Sequence, residues 1–278
     1  MLAAYIRRLA VSEKKNKKIV LIPAYNEANS LQELIEVVAA TAKEQKWEYR
    51  IIICNDGSAD KTGLIAMEMA DIYPVEVMHH KINRGLGETE RDLFERAAEI
   101  AADDDVIIRV EGDNTHKPQY MIDMVNKLEE GFDVVACSRY AEGGGQMGLN
   151  DKKIFISKCA NLFMRFFFPI KGLKEYSCGF RAYRGETVKK AIKFFGNDFI
   201  QLKELGFTCT LEVIVKLNIL GARFAEVPFV LRYDDKKSDS KMIGSITMLG
   251  YMIMTLIYYW PFGGWYFGYK KQIQEMNK

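Results

Sequence analysis

The sequence predicts an α/β chain with a mainly parallel central sheet covered by helices, and three observations predict it. Short apolar runs alternate with longer stretches of helical periodicity. The unusual polar and glycine-bearing segments follow the apolar runs, where ligands bind in open parallel sheets. The chain has 278 residues, 49% of them hydrophobic, enough to bury a sizeable core.

Lys18–Pro23, an apolar run closed by proline, reads as the first strand. Ser30 and Glu33 have capping-box spacing, and Leu31, Leu34, Ile35 and Val38 recur at helical intervals as far as Glu44. Tyr49–Cys54 gives a second strand, Leu64–Asp71 a helix, Val75–His79 a third strand and Leu86–Ala102 a long helix. Val106–Val110 is the fourth strand, Pro118–Glu130 a helix with an early proline, and Asp133–Cys137 the fifth strand. The loops at the strand ends are Pro23–Glu27, Asn55–Asp60, Asn83–Gly87, Glu111–His116 and Ser138–Tyr140.

After Tyr140 the glycine-rich link AEGGGQ leads to an amphipathic helix at about 153–170. Phe155, Cys159, Leu162, Phe163, Phe166 and Phe167 form one apolar face, with Lys158, Asn161 and Arg165 opposite. Such a face suits either a membrane surface or packing on the sheet. From Met242 to Tyr269 no residue is charged. Met242–Trp260 would reach roughly 28 Å as a helix. Tyr258, Tyr259, Trp260, Trp265 and Tyr266 cluster as an interfacial belt does. Lysines flank both ends, so the segment either crosses or lies flat, and membrane attachment is the expectation. The chain thus divides into a basic amphipathic lead-in (1–17), a main domain (18–241) and an apolar membrane-associated segment (242–278).

The balance of 39 Lys+Arg against 37 Asp+Glu leaves a formal charge of +2, which argues against a nucleic-acid partner. The five cysteines are scattered, so neither a disulfide framework nor a zinc site is expected, and a reducing setting is the default. His79, His80 and His116 lack ligand spacing and stay outside the candidate set. The lead-in is too short in apolar residues to be a secretory signal.

Chemistry concentrates at VIIRVEGDNTH, Val106–His116, where an apolar strand runs into Glu111, Gly112 and Asp113. Alternation along a strand puts residues i and i+2 on one face, and Gly112 leaves room above the backbone. Two oxygen donors there could hold Mg²⁺ or Mn²⁺ on a diphosphate.

IPAYNE (Ile22–Glu27), NDGSAD (Asn55–Asp60), NRGLG (Asn83–Gly87), EGD (Glu111–Asp113), CSRY (Cys137–Tyr140) and SCGFRAYR (Ser177–Arg184), in this order, resemble the family 2 inverting glycosyltransferases of GT-A fold. The subgroup most resembled is the dolichyl- and polyprenyl-phosphate mannose and glucose synthases. The resemblance implies transfer of a hexose from a nucleotide-diphosphate sugar, GDP- or UDP-linked, to a polyprenyl phosphate at a membrane surface, with the catalytic domain on the cytoplasmic face. It implies that Pro23, Tyr25 and Glu27 meet base and ribose and that Asp56 accepts from a base N–H. Arg84 and Gly85 would face the phosphates at a helix N-terminus. Glu111, Gly112 and Asp113 match the family's metal-binding DxD element with Glu for the first Asp, so Glu111 either ligates, acts through water or positions the site. Arg139, Lys153 and Ser157 match the acceptor-phosphate positions. Glu175 and Arg181 fall in the stretch near sugar and acceptor, where Arg181 is either a site residue or a structural ion-pair partner. Glu212 remains as a sugar contact where the family's Gln is lost. Lys236, Lys237, Ser240 and Lys241 resemble a basic loop that closes over the diphosphate, or a juxtamembrane cluster.

Two rivals stand beside this reading. A family 2 enzyme acting on a polysaccharide, lipopolysaccharide or protein hydroxyl needs a carboxylate base, and Glu175 is its candidate. A degenerate, non-catalytic sugar-nucleotide-binding protein is the other. The sequence leaves sugar, base, lipid length and oligomeric state open.

Overall fold

The computed structural model describes residues 16–237, 243–260 and 263–276. The lead-in helix expected before residue 16, and Ser240 and Lys241 of the basic loop, lie outside the described residues.

Seven strands form one sheet in the order β3-β2-β1-β4-β7-β5-β8. They are β1 (Lys18–Ala24), β2 (Tyr49–Asn55), β3 (Val75–His79), β4 (Val106–Arg109), β5 (Val134–Ser138), β7 (Arg181–Arg184) and β8 (Phe224–Pro228). All pairings are parallel except those of β7, which enters antiparallel between β4 and β5. Because β7 runs backwards, its first residue, Arg181, lies at the edge where β4 ends, opposite Arg109. A second sheet pairs β6 (Gly145–Met147) with β9 (Val230–Arg232).

Apolar side chains on both faces of the sheet explain its helical covers. One face packs α1 (Leu31–Glu44), α2 (Thr62–Ala70) and α4 (Tyr120–Glu129). The other packs α3 (Leu86–Ile100), α6 (Gly185–Phe195), α7 (Thr208–Ile219), α8 (Gly244–Tyr259) and α9 (Gly264–Met276). The expected strands and helices are present, with β4 ending one residue early, at Arg109. The capping box does not form: Ser30 makes no side-chain bond to its own helix, and its hydroxyl donates instead to the Gly112 carbonyl at 2.8 Å.

The amphipathic helix is α5 (Asp151–Phe167), capped by Asn150. Its Phe face is only partly packed: Phe163 and Phe167 lie half-buried against the core, whereas Phe155, Leu162 and Phe166 are exposed. The residues it buries are Met164 and Asn161, which the pattern had placed on the polar side. Asn161 is drawn in by the backbone, accepting from Tyr176 N at 2.9 Å and donating to Lys174 O at 2.5 Å.

The apolar C-terminal stretch is two helices. At 16 residues, α8 spans about 24 Å, short of a bilayer core of about 30 Å. Among the described residues no helix is long and apolar enough to cross a membrane. Thr247, Gly250, Tyr251, Met254 and Tyr258 of α8 face the domain, whereas Leu249, Met252, Leu256 and Trp260 are exposed. The expected aromatic belt is split as well. Tyr258 packs edge-on to Phe168 at 5.0 Å, and Trp265 stacks under the Lys216 ammonium at 4.3 Å.

Candidate active site

The parallel strands bring β1, β2, β4 and β5 to one edge, and the reversed β7 adds the GFR stretch to it. At the end of β1, Asn26 takes a positive φ of 52° and turns the PAYNE segment sharply. Its backbone N–H donates to Ser58 Oγ at 2.9 Å, and Glu27 N donates to Thr62 Oγ1 at 2.7 Å. Pro23 and Glu27 are buried and Tyr25 is half-buried beside the acidic turn. Ser30 binds both Glu27 and Gly112, so the first loop and the acidic turn form one unit.

Gly112 serves closure, not ligand room. A Cβ there would lie 2.9 Å from the Pro23 carbonyl oxygen, so glycine is what lets the turn press against β1. Beyond Arg109 the strand alternation has ended, and Asn114 at φ 63° reverses the chain. The two carboxylates consequently have different partners. Glu111 pairs with the buried Arg109. Asp113 pairs with Lys236 and accepts from Thr115 Oγ1 at 2.6 Å. Burial alone would raise the Asp113 carboxyl, but the Lys236 ammonium and the hydrogen bond from Thr115 hold Asp113 below the ordinary carboxylate value. His116 is buried against Phe180 and Phe229. Desolvation lowers its pKa despite Glu111 and Asp113 nearby, which favours the neutral ring.

The donor set at the turn fits a hard divalent cation. Asp113 is ionised and paired with Lys236, whose ammonium already supplies a positive charge at its oxygen and which, with Asn114, Lys117, Asp234 and Asp235, lines an adjoining cleft of about 350 Å³. Among the described residues no group of three or more His, Cys, Asp or Glu converges as a complete cage. An ion held here would complete its shell from phosphate oxygens and water.

Asp56 is corrected. It is buried, its Oδ1 accepts from Arg84 N at 2.8 Å and its Oδ2 from Gly85 N at 2.9 Å, while the His80 ring sits at 2.6 Å. Two N–H groups of NRGLG, those of Arg84 and Gly85, are therefore spent on a protein carboxylate, and Asp56 organises that loop. The Arg84 side chain lies along α3, near Glu88 and Asp92, both at 3.3 Å.

The acceptor-side residues do converge. Arg139 makes a two-point contact with Glu175, Nε to Oε2 at 2.7 Å and Nη2 to Oε1 at 2.9 Å. Its remaining N–H groups reach Ser177 Oγ at 2.7 Å, Gln146 Oε1 at 3.2 Å and Ser157 Oγ at 3.3 Å. A phosphate can enter this fork by replacing the neutral acceptors on Nη1. Lys153, one turn from Ser157 on α5, lies over the Tyr233 ring at 5.1 Å, and Lys236 lies over the same ring at 5.6 Å. Tyr233, which belongs to none of the motifs, thus stands between Lys153 and the lysine that pairs with the acidic turn.

Glu175 is fully buried, and its Oε1 also accepts from the N–H groups of Ser177 and Cys178. Desolvation would raise its pKa, yet the charge and hydrogen bonds of Arg139 and Ser177 outweigh it and hold it below the ordinary value.

Two predicted residues do not face the cleft. Arg181 is buried, with Nη1 donating to Thr210 O at 2.6 Å and Nη2 to Tyr176 O at 2.8 Å, so it braces backbone and is neither a site residue nor an ion-pair partner. Glu212 is buried inside α7, accepting from Gln201 N and Leu202 N at 2.8 and 3.0 Å and from Lys216 Nζ at 2.6 Å. Fully buried, it presents no oxygen at the surface of the cleft.

Residues 19–191 match the model of Glycosyl transferase family 2. The chain is 28% identical over 231 residues to a polyprenol monophosphomannose synthase of Mycolicibacterium smegmatis, covering 82% of each protein. It is 29% identical over 214 residues to a dolichol-phosphate mannosyltransferase of Pyrococcus furiosus, covering 77% of this chain and 56% of that one. Against an undecaprenyl-phosphate 4-deoxy-4-formamido-L-arabinose transferase of Proteus mirabilis, it is 30% identical over 183 residues, 65% of this chain and 52% of the other. The chain thus spans little more than half the length of those last two relatives. A crystal structure of Mycobacterium tuberculosis glucosyl-3-phosphoglycerate synthase, in complex with Mn²⁺, UDP and glucosyl-3-phosphoglycerate, superposes with a TM-score of 0.58 at 17% identity. It covers 91% of this chain and 82% of that one, and the likeness shows the GT-A fold.

Proposed function

Because the chain belongs to glycosyl transferase family 2 and is a glycosyltransferase, we propose that it transfers a hexose, with inversion, from a nucleotide-diphosphate sugar to a polyprenyl phosphate. The observation that carries this reading is the state of the acceptor side. Arg139, Lys153 and Ser157 offer cationic and hydroxyl partners to a phosphate, while the one carboxylate among them, Glu175, is sealed against Arg139 and held ionised below its ordinary range. A sugar or protein hydroxyl would need that carboxylate as a free base. A phosphate monoester, with a second pKa of about 6, is ionised near neutral pH and brings its own nucleophilic oxygen. The polyprenyl and dolichol relatives named above support the same acceptor class.

On the donor side, Pro23, Tyr25 and Glu27 form the wall for base and ribose. Asp113, with Glu111 beside it, would hold Mg²⁺ or Mn²⁺. A bound divalent ion neutralises charge developing on the departing diphosphate. Lys236, now on Asp113, and Lys237, 2.5 Å from Glu33, are placed to follow the diphosphate when it arrives.

Membrane association is part of the proposal. The exposed Phe face of α5 and the exposed stripe of α8 meet at an apolar groove of about 640 Å³, lined by Phe163, Phe166, Phe167, Met252, Leu256 and Trp260. An apolar surface of this kind, on the same helix as Lys153 and Ser157, suits a lipid surface and an isoprenoid chain. Because α8 is short and packed on the domain, the proposed contact lies along the bilayer face.

The test is a donor panel. Purified protein with labelled GDP-mannose, UDP-glucose and related donors, polyprenyl phosphate in vesicles and Mg²⁺ or Mn²⁺ is expected to yield a chloroform-soluble product with one donor, abolished by EDTA. Label entering only water-soluble glycan would refute the lipid acceptor, and nucleotide-sugar binding without turnover on any acceptor would favour the non-catalytic rival.

A further inference from the structure

The acidic turn rests on a charged foundation that the proposed chemistry leaves unused. Arg109, the last residue of β4, has a side chain only 2% exposed, and its Nη2 lies 2.6 Å from Oε1 of the equally buried Glu90 on α3. Its Nη1 pairs with Glu111 Oε1. Gly179 sits where this pair closes, since a Cβ there would overlap Arg109 Nη1 and fall 2.9 Å from Glu111 Oε1. Arg181, the cross-strand neighbour of Arg109, is committed to the carbonyls of Thr210 and Tyr176 and does not compete for Glu111. Asp113 is engaged elsewhere, by Lys236 and Thr115.

A charge in so dry a place keeps its partners, because losing one leaves a guanidinium neither hydrated nor neutralised. The longer arm of Glu, compared with Asp, carries the Glu111 carboxylate back to that guanidinium. We infer that Arg109 is a positioning residue that tethers Glu111 to the sheet, so that Asp113 is the one carboxylate of the turn bound directly to the divalent ion and Glu111 acts through coordinated water. This inference rests on the proposed reading that the turn holds an ion with the donor diphosphate.

Mn²⁺ titration of the full chain, followed by electron paramagnetic resonance with UDP or GDP present, separates the two. If the wild type binds no Mn²⁺ with either nucleotide, the metal reading itself falls, and this one with it. Given wild-type binding, Arg109→Met/Glu90→Gln releases Glu111 and is expected to raise Mn²⁺ affinity on the order of tenfold by adding a charged ligand. Adding Glu111→Gln is expected to erase that gain. Weaker Mn²⁺ binding in the double variant would mean that Arg109 helps Glu111 to ligate, and a gain that survives Glu111→Gln would be a through-space charge effect; either overturns the tether. Should the double variant not fold, Glu111→Asp, whose shorter arm falls away from Arg109, is expected to raise affinity likewise, and an unchanged or lower affinity overturns the inference.

Discussion

Asp113→Ala is expected to lower glycolipid formation by about 10³-fold, the upper part of the range for removing a pre-placed electrostatic partner of the transition state. Asp113 is the ionised carboxylate of the turn in contact with Lys236 and Thr115, one residue from Gly112, which presses against Pro23 and Glu27. On the proposed reading its loss removes the anchor for the ion, and it leaves Lys236 without this partner. The fold should survive, because the turn is still fixed by Ser30 on the Gly112 carbonyl and by Arg109 on Glu111. The check is initial rate of chloroform-soluble label, alongside an unchanged circular dichroism spectrum. A residual rate within tenfold of wild type would mean that the ion, if present, is held elsewhere.

Glu175→Gln is expected to cost about 3–5 kcal/mol of stability, the range for breaking a buried ion pair from one side. Glutamine cannot offer two anionic oxygens to Arg139, and its amide would face N–H donors from Ser177 and Cys178. The pH dependence has a definite sign. Glu175 has a folded pKa below its ordinary 4.5, so its contribution is complete above about that pH and is lost as pH falls through the lower folded value. The stability gap between wild type and variant should therefore be flat above pH 4.5 and shrink under more acid conditions, as read by urea titration at several pH values. In kinetics, a loosened Arg139 is expected to raise KM for the lipid phosphate about tenfold with a smaller fall in kcat. Complete loss of kcat at unchanged KM would instead identify Glu175 as a base.

The sheet was legible because its strands are continuous apolar runs bounded by turn residues, a local signal that tertiary context does not alter. The reversed β7 was not, since RAYR carries no mark of direction and its placement depends on pairing with β4 and β5. Within the site, the proximity of Arg139, Ser157 and Glu175 was readable from motif positions. Asp56 and Glu212 were misread because a buried carboxylate and a ligand-facing one look alike until their N–H partners are known. The signal for Arg109 was present and missed: an arginine inside an apolar strand must find a carboxylate, and Glu90 and Glu111 were within reach. Asn161 on the polar side of α5 and Phe166 on its apolar side exchanged roles because a side-chain amide can satisfy backbone groups of Lys174 and Tyr176, which a phenyl ring cannot.

The claim on which everything turns is that the acceptor brings its own charged nucleophile. The direct measurement compares two acceptors of the same isoprenoid length, one ending in a monophosphate and one in a free hydroxyl, at equal density in vesicles with the preferred sugar nucleotide. Turnover is expected with the phosphate alone. Comparable turnover with the alcohol would contradict the account, because Glu175, the carboxylate beside Arg139, is sealed in its ion pair and is not free to activate a hydroxyl.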